Sequence, residues 1–80
     1  MKLVETVLYG QYRKYNQKLK ELEKEAEGFD FINAQLEAAI HAGIIIEPTE
    51  LEEMPINEVM AVYRAFADIL AKSLNPETKN

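Results

Sequence analysis

The sequence predicts an all-α fold, a small bundle of three main helices with one short helical turn. Three observations support this prediction. Apolar residues recur at spacings of three and four along long segments. Glycine and proline fall between those segments, where helices start and stop. The N-terminus shows no convincing β-segment. Eighty residues suffice for one domain, which we assign to 1–80 with a disordered tail at 75–80.

The first helix is predicted from Thr6 or Gly10 to Glu27, with Gly28 as its C-terminal cap. Its apolar positions follow one another at spacings of four and three, the pattern of a helical seam. The seam consists of Leu8, Tyr12, Tyr15, Leu19, Leu22 and Ala26. It can form the core of a three-helix domain, or it can be partly a surface that meets another chain. Tyrosine favours the surface, because its ring packs while its hydroxyl stays in water.

The second helix is predicted from Phe29 to about Ala42, where Gly43 stops it. A short helical turn follows, in which we expect Thr49 and Glu52 to form a capping box.

The third helix is predicted to start with Pro55 in its first position, or else after Asn57 as its N-cap, and to end at Leu74. Its apolar face is wide, which indicates burial on more than one side. That face contains Val59, Val62, Tyr63, Phe66, Ile69, Leu70 and Leu74, extended by Met60, Ala61, Ala65, Ala67 and Ala71.

Composition restricts the function. There is no cysteine, so disulfides and thiolate metal sites are excluded. The net charge of −5 is uneven: residues 1–27 carry six basic and five acidic side chains, and residues 28–80 carry three and nine. An acidic body argues against nucleic-acid binding. Without a signal peptide or an apolar run long enough for a membrane, we expect a soluble cytoplasmic protein, in the host cytoplasm if it is phage-encoded.

Catalytic equipment is not apparent in the sequence. His41 is the only histidine, and Glu37 is the one acidic residue a helical turn away from it. Two ligands do not make a zinc site, so we expect His41 to interact with the helix dipole. Ser73 is the only serine and has no histidine near it in sequence. We therefore predict no enzyme activity, no cofactor and no metal site.

Two charged groups remain as candidates for partner binding. Glu50, Glu52 and Glu53, with Glu47 and Glu58 beside them, form either a solvated connection or a docking surface for a basic partner. A short basic patch around residues 13–20 with interleaved tyrosines has the composition of a nucleic-acid platform, but two of its tyrosines, Tyr12 and Tyr15, lie on the seam. The predicted partner-binding residues are Leu8, Tyr12, Tyr15, Leu19, Leu22, Glu50, Glu52 and Glu53.

Three stretches resemble the small tail assembly chaperones of long-tailed (siphovirus-type) bacteriophages. Residues 9–13 are similar to a Tyr-Gly-x-Tyr-Arg opening, and residues 38–48 to an apolar helix end that runs into a valine-glutamate-proline turn. Residues 51–59 are similar to the leucine, acidic pair and leucine-proline that start the last helix. The resemblance implies an all-helical protein that binds the tape measure protein, shields its apolar helices and recruits the major tail protein.

Two functions follow as expectations. The first is a non-catalytic phage tail assembly chaperone acting during virion morphogenesis. The alternative is a small helical regulatory adaptor, with or without contact to nucleic acid. In either case a small core without disulfides favours a homo-oligomer, and we expect self-association through the seam of the first helix.

Overall fold

The computed structural model describes residues 1–24 and 29–75. The elements in chain order are β1 (Lys2–Leu3), α1 (Tyr9–Leu22), α2 (Phe29–His41), β2 (Ile45–Glu47), a 3₁₀ turn (Leu51–Glu53) and α3 (Ile56–Leu74). The predicted three main helices are confirmed.

The fold is mostly helical, but it also contains a short two-stranded sheet, so the expectation of no N-terminal β-segment is wrong. β1 pairs antiparallel with β2, with Lys2 opposite Glu47 and Leu3 opposite Ile45. The Val4 amide continues the contact by donating to the Ile44 carbonyl at 3.0 Å. Two and three residues are too few to show the alternating pattern of a strand, so the sequence contained no usable signal for this sheet.

α1 is shorter than predicted. It begins at Tyr9, where the Gln11 side chain accepts a hydrogen bond from the Leu8 amide at 2.9 Å. It ends at Leu22, and the Glu23 amide donates to the Leu19 carbonyl at 2.8 Å. The predicted continuation to Glu27, the last seam residue at position 26 and the cap at position 28 lie outside the described residues.

The predicted stop after α2 is confirmed, and its mechanism is visible. Gly43 has a φ of +80°, a conformation that other residues rarely adopt. Its amide donates to the Ile40 carbonyl at 3.1 Å, and the Ile44 amide donates to the Ala39 carbonyl at 2.9 Å. These two bonds form a Schellman motif, which satisfies carbonyls at the helix end and turns the chain into β2.

The turn before α3 differs from its prediction. The 3₁₀ turn follows Glu50, which makes no side-chain cap, so the capping box expected from Thr49 and Glu52 is wrong. Backbone bonding is sufficient here, since the Met54 amide donates to the Leu51 carbonyl at 3.1 Å.

α3 begins at Ile56, with Pro55 in the capping position. Neither predicted start is therefore correct. The Pro55 carbonyl accepts from the amides of Glu58 and Val59 at 3.0 and 3.1 Å, and this backbone bonding takes the place of a side-chain cap. The predicted end at Leu74 is confirmed.

The core lies where the three helices and the sheet meet. Its largest fully buried side chains are Phe66, Leu36, Ile44 and Ile45. α2 supplies several small buried residues, which allow neighbouring elements to approach its backbone closely: Ala34, Ala38, Ala39 and, just after the helix, Ala42. α1 packs along α2, and α3 adds Val59, Val62 and Phe66.

A candidate protein-binding face

Tyr15 connects α1 to the rest of the core. Its ring centroid lies 5.3 Å from that of Phe66 and 6.5 Å from that of Tyr12. Only 4% of Tyr15 is exposed, and its hydroxyl donates a long hydrogen bond of 3.5 Å to the Gln35 side-chain oxygen. Tyr15 agrees with the first interpretation of the seam, as part of the core of the domain. It is a core residue that lies beneath its neighbours in the seam.

The environment of Tyr15 changes its acidity. Burial, which would strip the phenolate of its hydration, and to a lesser extent the electrostatic effect of Tyr63, Tyr12 and Glu23 together raise the pKa of its hydroxyl to about 12.

The other seam residues are more accessible than Tyr15. Leu8, just before α1, is 65% exposed. Tyr12, Leu19 and Leu22 are half-buried, and the first two pack against the core with one side. The seam is therefore partly core and partly exposed, and contact of its exposed part with another chain stays a prediction.

α3 contributes a line of apolar residues that the predicted binding set did not include. Only Val59, Val62 and Phe66 of its wide apolar face are buried. Beside them runs a second line at spacings of four and three, which we call the α3 flank: Ile56, Met60, Tyr63, Ala67, Leu70 and Leu74. Ile56 and Leu74 at its ends are 59% and 52% exposed. The spacing was readable in the sequence, but which part of the face the core covers was not.

The exposed parts of α1 and α3 belong to one surface. The Val7 amide donates to the Ser73 hydroxyl at 2.9 Å, which brings the start of α1 to the end of α3. Tyr15 lies farther along α1 than Val7, whereas Phe66 lies earlier in α3 than Ser73, so the ring contact shows that α1 and α3 run antiparallel. Leu8 and Leu74, which follow the two hydrogen-bonded residues in sequence, therefore lie at the same end of the two helices. We call this surface the α1–α3 face, and it comprises Leu8, Tyr12, Leu19, Tyr63, Leu70 and Leu74.

The predicted acidic residues form a separate feature. Glu50, Glu52 and Glu53 are exposed and line a cleft of about 360 Å³ between α2 and the 3₁₀ turn. Glu37 of α2 joins them, held by the Asn33 amide at 3.1 Å, and no lysine, arginine or histidine is among the described lining residues. We call this the acidic cleft. The sequence did not place Glu37 there, because helix packing rather than spacing brings it close.

Glu47 and Glu58, the other two acidic residues of the predicted cluster, line a different cleft with Met1. His41 is exposed at the end of α2. Among residues 1–24 and 29–75, no group of three histidine, aspartate or glutamate side chains is arranged to hold a metal ion.

Within the described ranges, none of the helices combines the length and apolar composition that crossing a lipid bilayer requires. Comparison of the chain with protein-family models, with curated proteins and with solved structures gives no match.

Proposed function

We propose that the chain is a non-catalytic protein-interaction module whose α1–α3 face takes up an amphipathic helix of another protein. The observation that carries this proposal is the exposure of the face. Leu8 and Leu74 are more than half exposed and lie at the same end of two antiparallel helices. Single exposed apolar residues are ordinary, but a continuous apolar surface is typical of an interaction site.

The composition of the face fits helix recognition. Tyr12 and Tyr63 offer rings that pack against apolar side chains while their hydroxyls remain near water. Leu19 and Leu70 add aliphatic surface on the same two helices. A helix that binds in this way places anchors at i, i+3, i+4 and i+7 along the face. Tyr15 and Phe66 are packed together in the core beneath this face, so they hold the face rigid when a helix binds.

The specific function we propose is that of a phage tail assembly chaperone, which binds the tape measure protein during virion morphogenesis and recruits the major tail protein. The three stretches that resemble this class support it. So does the physical need that such a chaperone meets, since long apolar helices aggregate when nothing covers them. An apolar face on a small helical domain is suited to that task.

The acidic cleft adds a preference to this function. Its four carboxylates have no basic residue beside them among the described lining residues. Their negative charge is therefore available to a partner. Exposed charges contribute more to the rate of encounter than to the strength of a complex. A partner whose apolar helix is flanked by lysine and arginine would therefore be captured fastest.

The test is co-expression with the longest helical protein encoded by a neighbouring gene, followed by pull-down. Leu8→Ser and Leu74→Ser should each weaken the complex about tenfold, the effect of losing roughly 1.4 kcal/mol of contact. Ile46→Ser is the matched control, because Ile46 is also an exposed aliphatic residue but belongs to β2. If no complex forms with any neighbouring gene product, or if the control weakens it equally, the proposal is wrong.

One observation favours the regulatory adaptor as a second candidate. The guanidinium of Arg13 lies 6.0 Å from the ring centre of the exposed Tyr9, and a cation beside an accessible ring is a feature of nucleic-acid platforms. Titration of a labelled single-stranded oligonucleotide at low salt tests this function. Loss of binding in both Arg13→Ala and Tyr9→Ala would favour the adaptor, and no binding by the unmodified chain would remove it.

A further inference from the structure

The α3 flank is complementary to itself. Its six positions are symmetric about residue 65, so a second α3 laid antiparallel across it brings the same set of residues into contact. Ile56 then faces Leu74 of the second copy, and Met60 faces Leu70 of the second copy. At the centre the large Tyr63 faces the small Ala67, and the reverse pair lies beside it. Large residues opposite small ones are what helix packing requires at close approach.

The charges on α3 permit this contact. The chain as a whole carries −5, which would keep two copies apart. α3 itself carries Glu58 and Asp68 against Arg64 and Lys72, a net charge of zero. In the antiparallel arrangement Arg64 lies about two residues, or roughly 3 Å along the axis, from both Asp68 and Arg64 of the second copy. Attraction and repulsion are therefore balanced at the border of the α3 flank, whereas the chain as a whole would repel a second copy.

We propose that a second copy of this chain covers the α3 flank, in a two-fold dimer of antiparallel α3 helices. The expected self-association thus moves from α1, whose seam is used at Tyr15 for the chain's own core, to α3. The dimer covers Tyr63, Leu70 and Leu74, which the proposed function assigns to a partner helix. If that function holds, a second copy and the partner compete for the same residues.

The size of the contact sets its strength. From Ile56 to Leu74 the flank is about 27 Å long at 1.5 Å per residue, and a helix is about 10 Å wide. The α3 contact then covers roughly 300 Å² on each copy, or roughly 600 Å² in total. Lasting complexes bury about 1,200 Å² or more in total. We therefore expect a reversible dimer with a dissociation constant between about 10 µM and 1 mM.

Sedimentation equilibrium on the full chain tests the dimer. The unmodified chain should change from monomer to dimer across that concentration range. Ala67→Glu places a charge at the centre of the flank and should leave a monomer. Ala61→Glu is the matched control, since it is also an exposed alanine on α3 and adds the same charge on the helix side away from the flank. Circular dichroism verifies that both variants keep their helix content. A monomer at 1 mM, or equal effects of the two variants, would overturn the proposal.

The antiparallel arrangement has its own test, because the chain has no cysteine of its own. A mixture of Ile56→Cys and Leu74→Cys chains in a glutathione redox buffer should give mainly the mixed disulfide. Predominance of Leu74→Cys paired with itself would overturn the antiparallel arrangement. Pull-down of the neighbouring gene product by Ala67→Glu separates the two proposals, because the dimer experiments do not depend on any partner.

Discussion

Two glycines in this chain have opposite structural roles. Gly43 occupies the left-handed region with a φ of +80°, and the nearest atom to an added Cβ would be Gln11 Nε2 at an ordinary 3.8 Å. Substitution of Gly43 is therefore unfavourable because of its backbone conformation and not because of a steric clash. Gly10 lies in the first turn of α1, and an added Cβ there meets nothing within 4 Å. Glycine at this position lowers the stability of the fold because it makes the unfolded chain more flexible.

The first prediction follows from this contrast. Gly43→Ala should lower the free energy of unfolding by about 1 to 2 kcal/mol, because a left-handed alanine is strained. Gly10→Ala should raise it by about 0.5 to 1 kcal/mol, because alanine favours the helix. Urea denaturation of both variants measures the two shifts, and each variant is the control for the other. Shifts of the same sign would contradict the assigned backbone conformations.

The second prediction concerns Tyr15. In the folded chain its pKa is about 12, compared with roughly 10 in an unfolded chain. Folding therefore favours the protonated phenol. That contribution is fully present below about pH 10 and is lost as the pH rises toward 12. Between about pH 9 and pH 12, the unmodified chain should lose about 1 to 3 kcal/mol more stability than Tyr15→Phe.

Ultraviolet titration of phenolate formation provides the direct measurement for Tyr15. One of the four tyrosines should ionise late, and Tyr15→Phe should abolish that late component. Tyr9→Phe is the control, because Tyr9 is exposed outside the core and its removal should leave the late component unchanged. A late component that survives in Tyr15→Phe would show that another tyrosine is the buried one.

At the scale of elements, one hydrogen bond links the N-terminal segment to α3. The partly buried Val7 amide donates to the Ser73 hydroxyl at 2.9 Å, across 66 residues of sequence. Ser73 is the only serine in the chain, so no other serine can replace it as the acceptor. It also holds the segment just before α1 beside the last turn of α3.

The third prediction is that Ser73→Ala lowers the free energy of unfolding by about 0.5 to 1.5 kcal/mol, because the Val7 amide loses its acceptor. Lys72→Ala is the control. It removes the exposed ion pair with Asp68, 3.1 Å long, and should cost less than about 0.5 kcal/mol. Hydrogen exchange at Val4 should accelerate in Ser73→Ala alone if the segment from β1 to α1 is held by this bond. Equal exchange in both variants would argue against that role.

The sequence predicted those elements whose signals are local. Gly43 gives a helix stop through its own backbone, and the seam spacing gives α1, so both were found. The β1–β2 sheet was missed because pairing Lys2 with Glu47 depends on residues far apart in sequence. The capping box at Thr49 failed because backbone bonds already satisfied the turn.

The candidate site, too, was predicted from the sequence only in part. Periodicity identified apolar positions on α1 and α3, but it could not assign Tyr15 to the core and Leu8 to the surface. That assignment depends on how α1 and α3 cross α2. Glu37 entered the acidic cleft for the same reason.

At the scale of the whole molecule, charge and apolar surface occupy separate regions. The molecule measures 37 × 25 × 20 Å, and the carboxylates of the acidic cleft lie between α2 and the 3₁₀ turn. In α1, four basic side chains stand against a single acidic one, Glu21. Exposed charges act over about 10 Å at 0.1 M salt, which is well below the longest dimension. The acidic cleft therefore acts on the part of a partner that passes close to it.

The fourth prediction tests this division of roles. With the helical protein that the chain binds, the association rate should fall as salt rises from about 0.05 to 0.5 M, while the dissociation rate changes little. The variant with Glu50→Gln, Glu52→Gln and Glu53→Gln should associate slowly at every salt concentration, because its cleft no longer attracts basic residues.

A control with the same change in net charge separates local attraction from overall charge. It combines Glu5→Gln, Glu21→Gln and Asp68→Asn, three exposed acidic residues outside the acidic cleft. Stopped-flow fluorescence should find that this control keeps most of the salt dependence, since its cleft is intact. If both triple variants lose the dependence equally, the net charge of −5 steers the encounter and the cleft has no special part. If the unmodified chain shows no salt dependence, apolar contact at the α1–α3 face governs both binding and encounter.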